Sequence, residues 1–158
     1  MKQSAITKAV SGIFTVLVIS ILVLAGPANA LTLLLETQKE AVNQGSTAIF
    51  RAEIQDASLT EEDVLTFTLT GPHPITCTFN KDGKEISGCE DVKIHAKEKE
   101  NNFGYGYGES KTYEFLIQVK TTGFEVGEYT PELSVDSDSI EGGKFKIFNP
   151  PTTPKKPK

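Results

Sequence analysis

The 158-residue sequence predicts an all-β chain, an antiparallel β-sandwich of about seven to nine strands behind an N-terminal signal helix. Three observations predict it. From residue 31 onward, apolar residues recur at every second position over short segments, the period of a half-buried strand. Clusters of Gly, Pro, Asn and Asp separate those segments at the spacing of a sandwich. No stretch of this part holds helical periodicity over three turns.

Residues 31–37 read as the first strand. Gly45 opens an alternation of Ala48, Phe50, Ala52 and Ile54 against Thr47, Ile49, Arg51 and Glu53, giving one core face and one wet face. Residues 57–63 form a polar connection in which Thr60-Glu61-Glu62-Asp63 resembles a cap followed by acids, enough for one helical turn. The third strand, residues 64–69, is stopped by Gly71-Pro72-His73-Pro74. Ile75, Cys77 and Phe79 then alternate into a turn whose Asp82-Gly83 pair is a strong hairpin signal. With those two residues as the loop, Cys77 falls opposite Gly88 and misses Cys89 by one position. A bulge at Gly88 and an irregular return strand are therefore expected.

Val92, Ile94 and Ala96 make another alternating strand, which ends in the charged run 97–100. Residues 101–110, containing Gly104-Tyr105-Gly106-Tyr107-Gly108, read as a glycine-rich loop or a broken edge strand. Residues 112–120 are the clearest strand, with Tyr113, Phe115, Ile117 and Val119 on one side. Strands over 129–135 and 144–148 complete the domain.

The N-terminus has the three-part grammar of a secretory leader. Lys2 and Lys8 precede and open an apolar stretch, which is followed by the helix-breaking Gly26-Pro27 and by small Ala28 and Ala30. This divides the chain into a signal peptide at 1–30, a sandwich domain at 31–149 and a disordered Pro/Lys tail at 150–158. The alternative is an uncleaved anchor, because residues 9–26 approach the length of a membrane span. The expected location is extracellular or in the cell envelope, with membrane contact only if the N-terminal helix is retained. Without the leader, 14 basic side chains face 21 acidic ones, a formal charge of −7. An acidic domain repels phosphate backbones, so nucleic acid is not an expected partner.

Cys77 and Cys89 flank the expected hairpin, and in an oxidising compartment such a pair reads as one disulfide. Zinc or redox chemistry is disfavoured, because no Cys-x-x-Cys occurs and the two histidines, His73 and His95, lack metal-ligand spacing to the cysteines. No cofactor is expected.

Val42-x-x-Gly45-x-x-Ala48-x-Phe50, and Gly127-x-Tyr129-x-x-x-Leu133-x-Val135 running into Gly143-x-Phe145-x-Ile147, resemble the immunoglobulin-like domains of exported prokaryotic surface proteins. The resemblance is at the level of the fold and spans residues 31–148. It implies that Tyr129, at the start of the penultimate strand, bonds back to backbone as a fold marker. The chain departs from the antibody pattern in having no tryptophan, and its cysteines are too close in sequence for an inter-sheet bridge. A jelly-roll sandwich accounts for the same pattern.

Each candidate site has a plainer reading beside it. Asp136, Asp138 and Glu141 offer carboxylates for calcium but lack the glycine and distal glutamate of an EF-hand loop; an acidic hairpin turn is preferred. Glu61, Glu62 and Asp63 are preferred as solvated loop charge over acid–base catalysts. His73, in a rigid turn, and His95, in a strand, receive no catalytic role, since no serine has nucleophile-elbow glycines beside it. An enzyme is therefore not expected. Tyr105 and Tyr107 are the candidate contact loop, aromatic surface suited to sugars or proteins. Leu31, Leu33, Leu34 and Leu35 form either an ordinary first strand or a donor strand inserted into a second copy, which would make a homo-oligomer. The expected function is a surface-associated, non-catalytic adhesion module that contacts protein or glycan through loops or an edge strand. The alternative is a structural filament subunit built by donor-strand insertion.

Overall fold

The computed structural model of the chain describes residues 31–101 and 110–152. The leader, Tyr105 and Tyr107, and residues 153–158 of the tail lie outside the described residues.

The described residues form eleven strands and no helix. They are β1 (Thr32–Thr37), β2 (Ala41–Asn43), β3 (Thr47–Ala57), β4 (Leu65–Thr70), β5 (Ile75–Phe79), β6 (Glu85–Ser87), β7 (Val92–Asn101), β8 (Ser110–Lys120), β9 (Gly127–Val135), β10 (Asp138–Glu141) and β11 (Phe145–Phe148). The count exceeds seven to nine because β2, β6 and β10 are short pieces of three or four residues.

Sheet 1 has the order β1-β3-β8-β7 and is antiparallel throughout. Sheet 2 runs β2-β11-β9-β4-β5-β6, and β10 joins β9 on the same side as β11. Only the β2–β11 pair is parallel among the described strands. Glu141 lies opposite Glu132 but Phe145 lies opposite Tyr129, so the returning chain gains one residue between β10 and β11. That bulge, at Gly142 and Gly143, lets a single strand line β9 in two registers.

The two sheets pack through one core in a sandwich-like arrangement. The strand alternation read from sequence sets its content: Phe50 and Ile54 of β3 and Phe115 and Ile117 of β8 point inward from sheet 1. Sheet 2 answers with Phe67, Phe79, Leu133 and Phe145, all buried. Rings meet across the gap, with Phe50 5.2 Å from Phe67 and 5.3 Å from Phe145, and Phe79 5.4 Å from Phe115. The last two pairs are edge-to-face, a geometry that adds to area burial, which itself contributes about 2 kcal/mol for each fully buried ring.

The registers also fix what lies at each end. The β3–β4 connection, the β5–β6 turn, the β9–β10 turn and the far ends of β7 and β8 share the end where Leu31 enters. The β2–β3, β4–β5 and β8–β9 turns and the exit of β11 share the opposite end.

Some boundaries move. The segment expected to hold a helical turn is a tight bend, closed by Asp63 N–H on the Thr60 carbonyl. The charged run 97–100 continues β7 instead of ending it, because its backbone pairs with β8 residue by residue.

Candidate functional site

The disulfide forms as expected, joining Cys77 of β5 to Cys89 just after β6. Its hairpin differs in detail from expectation. Asn80 and Lys84 close the turn, with Lys84 N–H on the Asn80 carboxamide oxygen and Gly83 N–H on the Asn80 carbonyl, which leaves a three-residue loop. Gly83 takes the left-handed position this loop type needs. The register then shifts between Phe79–Glu85 and Thr78–Ser87, nearer the turn than Gly88. Gly88 is nevertheless required. Its φ is 71°, and a Cβ there would lie 2.0 Å from the Thr76 carbonyl oxygen. The chain swings through Gly88 to bring Cys89 onto Cys77.

Tyr129 bonds back to backbone. Its phenol donates to the Glu125 carbonyl at 2.8 Å, and its ring lies on Phe145 and Phe124. Burial raises the phenol pKa. Gly71 is bare because the ring edge occupies its Cβ position, at 2.6 Å. His73 sits on Phe124 at 4.5 Å, a half-buried cover on this corner.

The two acidic turns become neighbours. Leu65 pairs with Val135, which sets residues 61–63 beside the turn at Asp136 and Ser137. Asp63 is used locally: its carboxylate accepts from the Thr60 N–H and hydroxyl, and those bonds hold its pKa below the usual range. Asp136 adopts a φ of 53°, the left-handed turn conformation that Asp tolerates. Asp138 and Glu141 stand three residues apart on β10 and so face opposite sides of the strand. No group of three His, Cys, Asp or Glu side chains suited to a metal ion occurs among the described residues.

The apolar first strand is used within its own chain. Thr32 to Thr37 pair with Gln55 to Phe50 over six positions; Leu35 is buried, Leu31 and Leu33 partly so, and Leu34 faces outward.

The outward faces of the two sheets differ, and neither was singled out in the sequence. On sheet 2, registers align Ser87, Thr78, Thr66, Ser134 and Ser139 in one row across five strands. On sheet 1, Glu114 accepts from Lys99 and from Arg51 at 3.0 Å, and these cations hold its pKa below the usual range, Lys99 contributing most. Lys93, His95, Lys97 and Lys99 share that face along β7. The signals were legible as period-two runs, Thr66-x-Thr68-x-Thr70 and Lys93-x-His95-x-Lys97-x-Lys99.

Compared with known proteins, the chain matches no protein-family model and no curated protein.

Proposed function

We propose that the chain is an exported, surface-associated binding module of the immunoglobulin-like class that contacts protein or glycan without catalysis. The observation that carries the reading is the strand order. β1-β3-β8-β7 follows the A-B-E-D sheet of that class, and β11-β9-β4-β5 follows the G-F-C-C′ sheet. The Tyr129 bond to Glu125 at the start of β9 stands where the tyrosine corner stands. The Cys77–Cys89 bond accords with folding in an oxidising compartment.

Such a scaffold presents connections at its ends. The end carrying the β3–β4, β5–β6 and β9–β10 turns is opposite the exit of β11, so attachment through the C-terminal side directs those loops outward. The filament alternative needs β1 to leave β3, and its six-position pairing within the chain favours the module.

The test is the mass and oligomeric state of the protein recovered from its host, in aqueous and detergent fractions. A monomer that starts at Leu31 and is two hydrogens light is expected. Large SDS-resistant assemblies would replace this reading with the filament subunit, and a reduced cytoplasmic product would end both.

A further inference from the structure

A line of lysines crosses an otherwise acidic domain. Strand alternation puts Lys93, His95, Lys97 and Lys99 on the outward face of β7. Successive members stand about 6.7 Å apart along the strand, and all four are exposed. Lys99 is committed to Glu114, whereas Lys93 and Lys97 make no ion pair among the described residues. At one end of the line, Lys93, Lys120 and Gln118 join Glu90 and Asp91 around an open cleft of ≈ 260 Å³.

We infer that this line binds an extended anionic polysaccharide, a chain of sugars bearing carboxylate or sulfate groups, with one end seated in the cleft. The inference rests on the binding-module reading and names its partner class. Charge complementarity selects a polyanion. Its shape is selected by the surroundings: the cations follow a single strand, and the acidic remainder of the surface repels a broad anionic plane or a thick duplex. The cleft adds what a sugar needs beyond charge. Gln118, Glu90 and Asp91 offer hydrogen-bond partners for hydroxyl groups beside two ammonium groups.

Binding of the full chain to polygalacturonate and to dextran sulfate tests this, with neutral dextran, anionic lipid vesicles and duplex DNA as comparators. One variant carries Lys93→Gln and Lys97→Gln; a control carries Lys144→Gln and Lys146→Gln, the same change of charge around β11 of sheet 2. The expected result is salt-sensitive binding to at least one polyanionic glycan, weakened about tenfold in the first variant and less than twofold in the control. Equal weakening in both variants would reduce the effect to net charge and overturn the inference, as would tighter binding to vesicles or DNA. Absence of binding to either glycan would overturn it too, and would leave the binding-module reading to stand or fall on the native mass measurement.

Discussion

Where the β5–β6 turn reaches β7, the flank of the sandwich is held by a covalent bond. On the other flank, β1 meets the β10–β11 return through packing and a hydroxyl contact. On the first side, a Cβ at Gly83 would touch Ala96 at 3.1 Å, so the turn lies directly against β7. Behind it, β6 is three residues long, entirely exposed, and paired in a shifted register. On the second side, Leu35 is buried close to Gly142 and Pro131, and the Thr37 hydroxyl donates to the Gly143 carbonyl. β1 has apolar surface to bury and six paired positions; β6 has neither. The disulfide is itself buried in the core, and it ties down the exposed β6, which has little of its own to bury.

The comparison breaks most visibly at Gly88. Gly88→Ala puts a Cβ into the Thr76 carbonyl and strains a left-handed residue, so a loss of about 3 to 5 kcal/mol in urea unfolding is expected. Removing the bond itself, by Cys77→Ala with Cys89→Ala, is expected to cost about 3 kcal/mol for a loop of this size. The two changes share one constraint, so they should not add. With the cysteines gone, β6 is free to shift and Gly88→Ala should cost about 1 kcal/mol; full additivity would mean that the bond does not fix this flank. On the packed flank, Leu35→Ala is expected to cost about 2 to 3 kcal/mol by opening a cavity against Gly142 and Pro131. It should leave the disulfide hairpin protected in hydrogen exchange, and loss of protection on both flanks together would show that they are not separate.

The same contrast separates what was legible in the sequence from what was not. Period-two alternation revealed β3, β4, β5, β8 and β9, because their cores are made by local side-chain order. The disulfide was legible from a cysteine pair flanking a hairpin, and the Tyr129 backbone bond from its position at the start of β9. The short β2 and β10 were not: β2 exists only as the partner of β11, far away in sequence, and β10 is a four-residue piece inside what reads as an acidic turn, whereas β6 is the irregular return strand that was expected. The hairpin loop was read one residue short. Asp82-Gly83 signals a two-residue turn, but the Asn80 side chain captures the Lys84 N–H and makes three. The basic line was present as a period-two run on β7 alone, whereas the hydroxyl row needed registers across neighbouring strands, which no single segment contains.

Tyr129 and Glu114 give the smallest effects, and Glu114 tests whether sheet 1's outward face matters to stability at all. Tyr129→Phe, which removes the bond to Glu125 but keeps the ring stack, is expected to cost about 1 kcal/mol. Glu114 has its pKa lowered by Lys99 and Arg51, so its contribution is present above the ordinary carboxylate value, about 4.3. That contribution is lost as the pH falls through the depressed folded value. Exposed pairs of this kind contribute less than about 1 kcal/mol. Glu114→Gln should therefore lower stability slightly at pH 7 and not at pH 2, with the difference shrinking in 1 M salt as screening shortens to about 3 Å. A loss of the same size at both pH values would mean that Glu114 acts through packing between β3 and β8. The ion pairs along the outward face would then be incidental to the stability of sheet 1, and the cations of β7 would be free to serve a partner at no cost to the fold.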